Sequence, residues 1–263
     1  IDINKIDEQI QHIEQLYYDL FDETFIIPEP EEHEDYKRKK SDPNYVHDIP
    51  QGNSYFIGND SAPITITKFF DFQCPYCAKS REMIEDILYE YPEDVKIVFK
   101  SFPLGSHKQA FKTAKYALAA GRQGKFYEMY TKIFENDNWR SLRFDENLPK
   151  TFAVELGLDI NQLEKDMNDP ALENQINAEY NQLKSLGNSY ETEQYKGVRL
   201  AVPKFFINGR EPSGRTIQAW SKIIEEEICK QDTLETNYYS DGSKRYEIQL
   251  ENCKREGIAE YWD

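Results

Sequence analysis

The sequence is poor in the residues that metal sites, membrane spans and nucleic-acid surfaces require. Its 263 residues include only four cysteines and four histidines, and the histidines are scattered along the chain. No apolar run approaches the roughly 18 residues that a membrane-spanning helix needs. Lysine and arginine together number 32, against 48 aspartates and glutamates, which gives a net charge of -16. This acidity argues against a nucleic-acid partner and against binding to anionic membrane surfaces.

Apolar residues are also scarce for a chain of this length. Hydrophobic residues make up 39% of the sequence, a composition that predicts one large domain with polar arms or linkers. The chain begins with Ile1 and shows no basic segment followed by an apolar core. We therefore expect a processed chain from which an export signal has been removed.

The N-terminal region carries an apolar stripe at helical spacing. The stripe consists of Ile3, Ile6, Ile10, Ile13, Tyr17 and Leu20. It fits either a coiled-coil seam, through which residues 3–20 would form a homo-oligomer, or an amphipathic helix packed on its own domain. We assign residues 1–25 to this helix and residues 26–53, rich in proline and charge, to a linker.

The main domain alternates strand and helix patterns. Residues 63–72 and 95–102, rich in β-branched and aromatic side chains, predict two buried strands, and residues 202–209 predict a third. Helical periodicity follows the first strand, fills most of 105–190 and returns at 214–230. The sequence therefore predicts an α/β domain with a large helical segment between its second and third strands.

Cys74 and Cys77 lie where the first predicted strand gives way to a helix. A zinc site is disfavoured, because no second cysteine pair or nearby histidine completes it. A disulfide between them closes a very short loop and adds little stability. At a helix start, free backbone N–H groups favour a thiolate on Cys74, and Pro75 suits the first helical position. Cys77 can then resolve a mixed disulfide, so the pair is interpreted as redox-active without a metal or cofactor.

Three separated segments resemble the DsbA-like thiol-disulfide oxidoreductases. They are GNDSAPITITKFFDFQCPYCAKS, FKSFPLGSHKQAFKTAKYALAAGRQGKFYEMYTKIFEN and VPKFFINGREPSG, in this order. The resemblance implies a thioredoxin fold over residues 54–230 with an inserted α-helical domain at 105–190. It also implies a cis peptide bond before Pro203, facing the cysteines. The substrate-binding residues carried over from the family are Pro75, Tyr76, Val202 and Pro203.

The resemblance also implies an activity and a setting. Such proteins exchange disulfides with cysteines of exported clients, so we expect an extracytoplasmic location and a membrane or soluble redox partner. Val202 favours an oxidase. Tyr76 stands where the strong oxidants of the family have histidine, which predicts a less depressed Cys74 pKa and a less oxidising couple. Tyr76 and the N-terminal helix favour an isomerase or reductase instead.

Two other classes of protein share parts of this pattern. The CPYC sequence at residues 74–77 also occurs in glutaredoxins, which are smaller and lack the helical insertion. A non-catalytic thioredoxin-like chaperone or binding module would use the same scaffold without needing the cysteines. The placement of the cysteine pair favours the oxidoreductase over both.

The remaining cysteines, Cys229 and Cys253, lie at the end of the last predicted helix and in the C-terminal tail. In an oxidising compartment, a structural disulfide between Cys229 and Cys253 is favoured over two free thiols. It would fasten the C-terminal tail, residues 231–263, in which Asp241 and Gly242 predict a hairpin turn. His107 is interpreted as a helix-cap or packing residue rather than a proton shuttle. Strand alternation points Lys204 away from the substrate groove.

Overall fold

The structure is a computed structural model that describes residues 44–186 and 198–231, together with the backbone of three strands between Leu234 and Tyr261. The predicted N-terminal helix, residues 1–25, and the greater part of the predicted linker, residues 26–53, lie outside the described residues. Their assignment, and the proposed oligomer seam within them, stay predictions.

The centre of the protein is a mixed sheet of four strands in the order β1-β3-β2-β4. These are β1 Phe56–Gly58, β2 Ile64–Phe70, β3 Val95–Ser101 and β4 Lys204–Ile207. Strand β2 runs parallel to β3 and antiparallel to β4, while β1 runs antiparallel to β3. The three predicted strands are confirmed, whereas β1 was missed because three residues are too few to show a strand pattern.

The central position of β2 explains its composition. It pairs with neighbours on both edges, and six of its seven residues are buried. A strand covered on both faces is buried along most of its length, and β2 accordingly consists of β-branched and aromatic residues apart from Lys68. Its end therefore fixes the position of the residues that follow it, among them Cys74.

Helices flank the sheet and fill the segment between β3 and β4. Helix α1, Pro75–Glu90, and helix α8, Ile217–Gln231, pack against the sheet and against each other. The inserted helices are α2 Ala110–Arg122, α3 Phe126–Phe134, α4 Asn138–Ser141, α5 Leu148–Glu155, α6 Ile160–Met167 and α7 Pro170–Leu186. This arrangement confirms the predicted thioredoxin fold with a helical insertion.

Local signals explain several of these boundaries. Asp159 caps α6 by accepting a hydrogen bond from the backbone N–H of Gln162, a role for which aspartate is favoured. Gly124, with φ of 73°, separates α2 from α3 in a conformation that favours glycine. Asn208 and Gly209 both have positive φ and turn the chain back after β4, a conformation that the Asn-Gly dipeptide favours.

A second sheet lies in the C-terminal tail. It consists of β5 Leu234–Tyr238, β6 Lys244–Gln249 and β7 Ala259–Tyr261, paired antiparallel in sequence order. Strands β5 and β6 flank Asp241 and Gly242, where the sequence predicts a turn; those two residues lie outside the described part of the chain.

Candidate active site

The site is built at the junction of strand β2 and helix α1. The strand ends at Phe70 and the helix begins at Pro75, so Cys74 occupies the position before the first helical residue with φ of -85° and ψ of 120°. Pro75 is at the first helical position, as predicted, and no acidic residue lies in the first turn. The free N–H groups of this turn therefore favour negative charge at Cys74.

Cys74 has the properties of an attacking thiol. Its pKa is lowered to about 6, chiefly by a hydrogen bond from the Cys77 thiol and also by the backbone N–H groups of Cys77 and Tyr76. Burial and the nearby charge of Asp71 act in the opposite direction. Only 4% of Cys74 is exposed. At neutral pH it is mostly thiolate, which is the nucleophilic form of cysteine.

The pKa of Cys77 is shifted in the opposite direction to that of Cys74. Cys77 is fully buried, and its Sγ accepts a hydrogen bond of 3.4 Å from the backbone N–H of Asp71. Burial, together with the hydrogen bond to Cys74, raises the pKa of Cys77 well above its usual value. Two thiols whose pKa values are driven apart in this way can take different roles.

The segment before β4 closes the site from the opposite side. The Val202–Pro203 peptide bond is cis, as the resemblance implied, and both residues are buried. The Sγ of Cys74 lies 3.6 Å from the carbonyl oxygen of Val202, and Arg215 donates a 2.7 Å hydrogen bond to the Pro203 carbonyl. This segment is thereby held against the reactive sulfur.

All four residues predicted to bind substrate lie near the reactive sulfur in sequence or in space. Pro75 and Tyr76 form the first turn of α1 beside Cys74, and Val202 with Pro203 lies across from it. Tyr76 is 62% exposed, so its side chain is available at the surface. Their role in binding substrate stays a prediction.

Asp71 is a site residue that the sequence reasoning missed. Its carboxylate is buried and accepts hydrogen bonds from the backbone N–H of Gln73 at 2.6 Å and of Leu104 at 2.7 Å. The Nδ1 of His107 lies 2.9 Å from the same group. Asp71 therefore ties the loop that carries Cys74 to the loop after β3, and it connects His107 to the neighbourhood of the cysteines.

Lys68 is a second missed residue. It lies on β2, none of its surface is exposed, and its Nζ donates to the Tyr130 hydroxyl at 2.6 Å and to the Cys77 carbonyl at 3.4 Å. Burial lowers the pKa of Lys68 to about 7. A lysine within a strand that the sequence predicts to be buried was the available signal, since lysine is rarely fully buried.

The sequence also singled out Lys204, Cys229 and Cys253. Lys204 is buried and pairs with Glu211. Cys74 and Cys77 are free thiols, whereas Cys229 is disulfide-bonded. Cys253 lies outside the described residues, so its pairing with Cys229 stays a prediction.

Fold and site together define a thioredoxin-fold protein with a paired-cysteine centre opposite a cis-proline. A family model described as Thioredoxin matches residues 51–226. Since this is more than half of the chain, the protein belongs to the thioredoxin family.

Solved structures share this fold. A thioredoxin-like oxidoreductase from Silicibacter pomeroyi DSS-3 is 24% identical with a TM-score of 0.55, covering 69% of this chain and 94% of that one. BdbD from Bacillus subtilis, in its oxidised form, is 17% identical with a TM-score of 0.56, covering 70% of this chain and 97% of that one. The thiol-disulfide exchange protein alpha-DsbA2 from Wolbachia pipientis is 17% identical with a TM-score of 0.53, covering 66% and 86%.

Curated relatives are similar over a shorter share of their own length. The Na(+)/H(+) antiporter NhaA 1 of Mycobacterium sp. (strain KMS) is 26% identical over 172 residues, which are 64% of this chain and 26% of the antiporter. The protein of the same name from Mycolicibacterium vanbaalenii is 32% identical over 111 residues, 42% of this chain and 17% of that one. The chain thus spans about a quarter or less of these relatives. Within residues 44–186 and 198–231, no helix is long and apolar enough to cross a membrane.

Proposed function

We propose that this protein is an extracytoplasmic thiol-disulfide oxidoreductase that introduces disulfides into exported client proteins. The observation that carries the proposal is the contrast between the two thiols. Cys74, at a helix start, has its pKa lowered to about 6, while the adjacent Cys77 is fully buried with a raised pKa. One cysteine is therefore suited to meet substrate, and the other to react only within the pair.

The chemistry follows from these roles. In the oxidised protein, a client thiolate attacks Cys74 Sγ, forming a mixed disulfide while the Cys74–Cys77 bond breaks and Cys77 leaves as a thiolate that takes a proton. A second client thiolate then attacks the client sulfur, and Cys74 leaves as a thiolate. The client gains a disulfide, and the protein gains two electrons and must pass them to a disulfide-bearing or quinone-linked redox partner.

The lowered pKa of Cys74 favours transfer of the disulfide from this protein to the client. A thiol of low pKa is a good leaving group, and a stabilised thiolate stabilises the reduced protein, which makes the oxidised protein an oxidant. The pKa of about 6 is less depressed than the value of about 3.5 in the strong oxidant DsbA. We therefore propose a milder oxidase, in keeping with Tyr76 between the cysteines.

The client segment would bind in extended form beside the cis-proline. The Val202 carbonyl faces Cys74, so a strand-like segment placed along residues 202–203 would bring its cysteine to the sulfur by main-chain pairing. Pro75 and Tyr76 would line the other side of the same groove.

Two paired assays test the proposal. Oxidation of a reduced two-cysteine peptide measures oxidase activity, and refolding of a scrambled-disulfide protein measures isomerase activity. We expect wild-type protein to oxidise the peptide faster than it rescues the scrambled protein, and Cys74→Ser to lose both activities. A Cys74→Ser variant that retains its effect on clients would instead support a chaperone or binding module. Faster rescue than oxidation would support an isomerase.

A further inference from the structure

The segment that leads into the cis-proline exposes a basic and an apolar side chain. Val198 is buried in the core, whereas the next two residues, Arg199 and Leu200, are exposed. A backbone hydrogen bond of 2.9 Å from the N–H of Ala201 to the carbonyl of Arg199 fixes the chain at this point. Arg199 lies four residues before Pro203, so the two Cα atoms are at most about 14 Å apart.

Arg215 brings a second guanidinium to the same segment. Its Nη2 donates a 2.7 Å hydrogen bond to the Pro203 carbonyl, and the residue is exposed. A guanidinium has five N–H donors in a planar fork, so most of its donors remain after this bond. A cation is thereby held one residue away from the Val202 carbonyl that faces Cys74.

The charges of the two arginines act on the same part of the protein. Burial is the main cause that lowers the pKa of Lys204, the residue after Pro203, and Arg215 and Arg199 act in the same direction. Lys204 is itself paired with Glu211, so these two residues together carry no net charge. The positive charge of this segment therefore comes from the two arginines.

Neither arginine has a carboxylate partner among the residues that the structure describes. The chain has a net charge of -16, so carboxylates are plentiful, and an unpaired pair of guanidiniums beside the reactive centre is a local reversal of charge. Asp71 acts on Cys74, but its side chain has no exposed surface. Elsewhere in the described chain, four arginines do form ion pairs: Arg81, Arg122, Arg140 and Arg210.

Resting on the proposed disulfide exchange, we propose that Arg199 and Arg215 select client segments that carry acidic residues near the exchanging cysteine. A segment paired with the main chain at residues 202–203 passes close to both guanidiniums, and its carboxylates accept charge-assisted hydrogen bonds from them. Leu200 and Tyr76, both exposed, offer apolar contacts to the side chains between those carboxylates. The favoured client is an extended, acidic cysteine segment.

The test compares two peptides that differ only in charge. Each has one cysteine joined to thionitrobenzoate, with glutamates or glutamines two residues before and two residues after it, and both ends are capped. The Cys74 thiolate of the reduced protein attacks the peptide sulfur, the peptide–thionitrobenzoate bond breaks, and thionitrobenzoate leaves as a coloured thiolate. Cys77 then forms the Cys74–Cys77 bond and releases the peptide thiol. Mercaptoethanol, an uncharged thiol, reacts with the same two peptides and gives the ratio of their intrinsic reactivities.

The expected result is a preference for the glutamate peptide. After division by the mercaptoethanol ratio, we expect wild-type protein to react about fivefold faster with the glutamate peptide at low ionic strength, and nearly equally with both in about 0.5 M salt. Arg199→Gln and Arg215→Gln should each lower the preference to about twofold. Arg143→Gln is the matched control and should keep the fivefold preference. Arg143 is also exposed and has no carboxylate partner within the described chain, but it lies between α4 and α5.

The ratio distinguishes client selection from a merely structural role of Arg215. If Arg215 only held the cis-proline segment through the Pro203 carbonyl, its loss would slow both peptides alike and leave their ratio at the wild-type value. Arg199→Gln keeps the test decisive if Arg215→Gln does not fold, because the Arg199 side chain makes no hydrogen bond within the described chain. A wild-type ratio near one, or an unchanged ratio in the folded variants, would overturn the proposal.

Oxidation of a reduced two-cysteine peptide by the wild-type protein is measured alongside. Its absence would refute the proposed direction of exchange. The preference between the two peptides would still decide the role of the arginines, because it reports the attack of Cys74 and not the direction in which the protein works.

Discussion

Replacing Cys77 in two different ways tests what lowers the pKa of Cys74. The largest contribution is the hydrogen bond that the Cys77 thiol donates to it, ahead of the two backbone N–H groups. Cys77→Ser keeps a donor at this position, whereas Cys77→Ala removes it. The two variants differ by little else, because serine and alanine are both small and the site is buried.

The size of the effect can be worked from general values. A hydrogen bond to a charged group contributes about 1.5 to 3 kcal/mol, and one pKa unit corresponds to about 1.36 kcal/mol. We therefore expect the Cys74 pKa to rise from about 6 by about one to two units in Cys77→Ala and to stay near its wild-type value in Cys77→Ser. At pH 6 the thiolate fraction of Cys74 would fall about five- to fiftyfold in the alanine variant.

The assay is a titration of thiolate ultraviolet absorbance, checked by the rate of alkylation with iodoacetamide across the same pH range. Absorbance is the primary readout, since a thiolate of higher pKa is intrinsically more nucleophilic and this partly offsets the loss of thiolate. Equal Cys74 pKa values in the alanine and serine variants would refute the reasoning. The backbone N–H groups of the first helical turn would then be the main cause of the lowered pKa.

Two further substitutions test neighbouring features. In Asp71→Asn the negative charge that raises the pKa of Cys74 is removed, so the Cys74 pKa should fall and alkylation at pH 5 should accelerate; an unchanged or higher pKa would contradict this. Gly121→Ala should destabilise by about 1 to 3 kcal/mol through overpacking, because a Cβ there would lie 2.3 Å from the Tyr55 ring. Gly105→Ala, where nothing lies within 4 Å, is the control, and equal melting temperatures for the two variants would count against the packing argument.

The reactive pair was predictable from sequence because its determinants are local. A buried strand, the C-x-x-C spacing and Pro75 together define a strand-to-helix junction within a dozen residues. The lowered pKa of Cys74 follows from the start of that helix and from Cys77 one turn away. The position of Pro203 opposite the pair came instead from the family resemblance, since a valine-proline at a strand start does not by itself reveal a cis bond.

The supporting residues were not predictable, because their roles depend on contacts distant in sequence. Lys68 meets the Tyr130 hydroxyl 62 residues away, and Asp71 meets His107 36 residues away. Sequence periodicity predicts which face of an element is buried, but it does not identify the side chain that the face meets. His107 was therefore interpreted as a packing residue without reference to Asp71.

The reduction potential of the Cys74–Cys77 couple tests the central claim most directly. It is measured by equilibrating the protein with glutathione buffers and quantifying the free thiols of Cys74 and Cys77. A mild oxidase should have a potential between about -200 and -120 mV, less oxidising than DsbA and more oxidising than thioredoxin. A value near about -270 mV, that of thioredoxin, would contradict the proposal and identify the protein as a reductant.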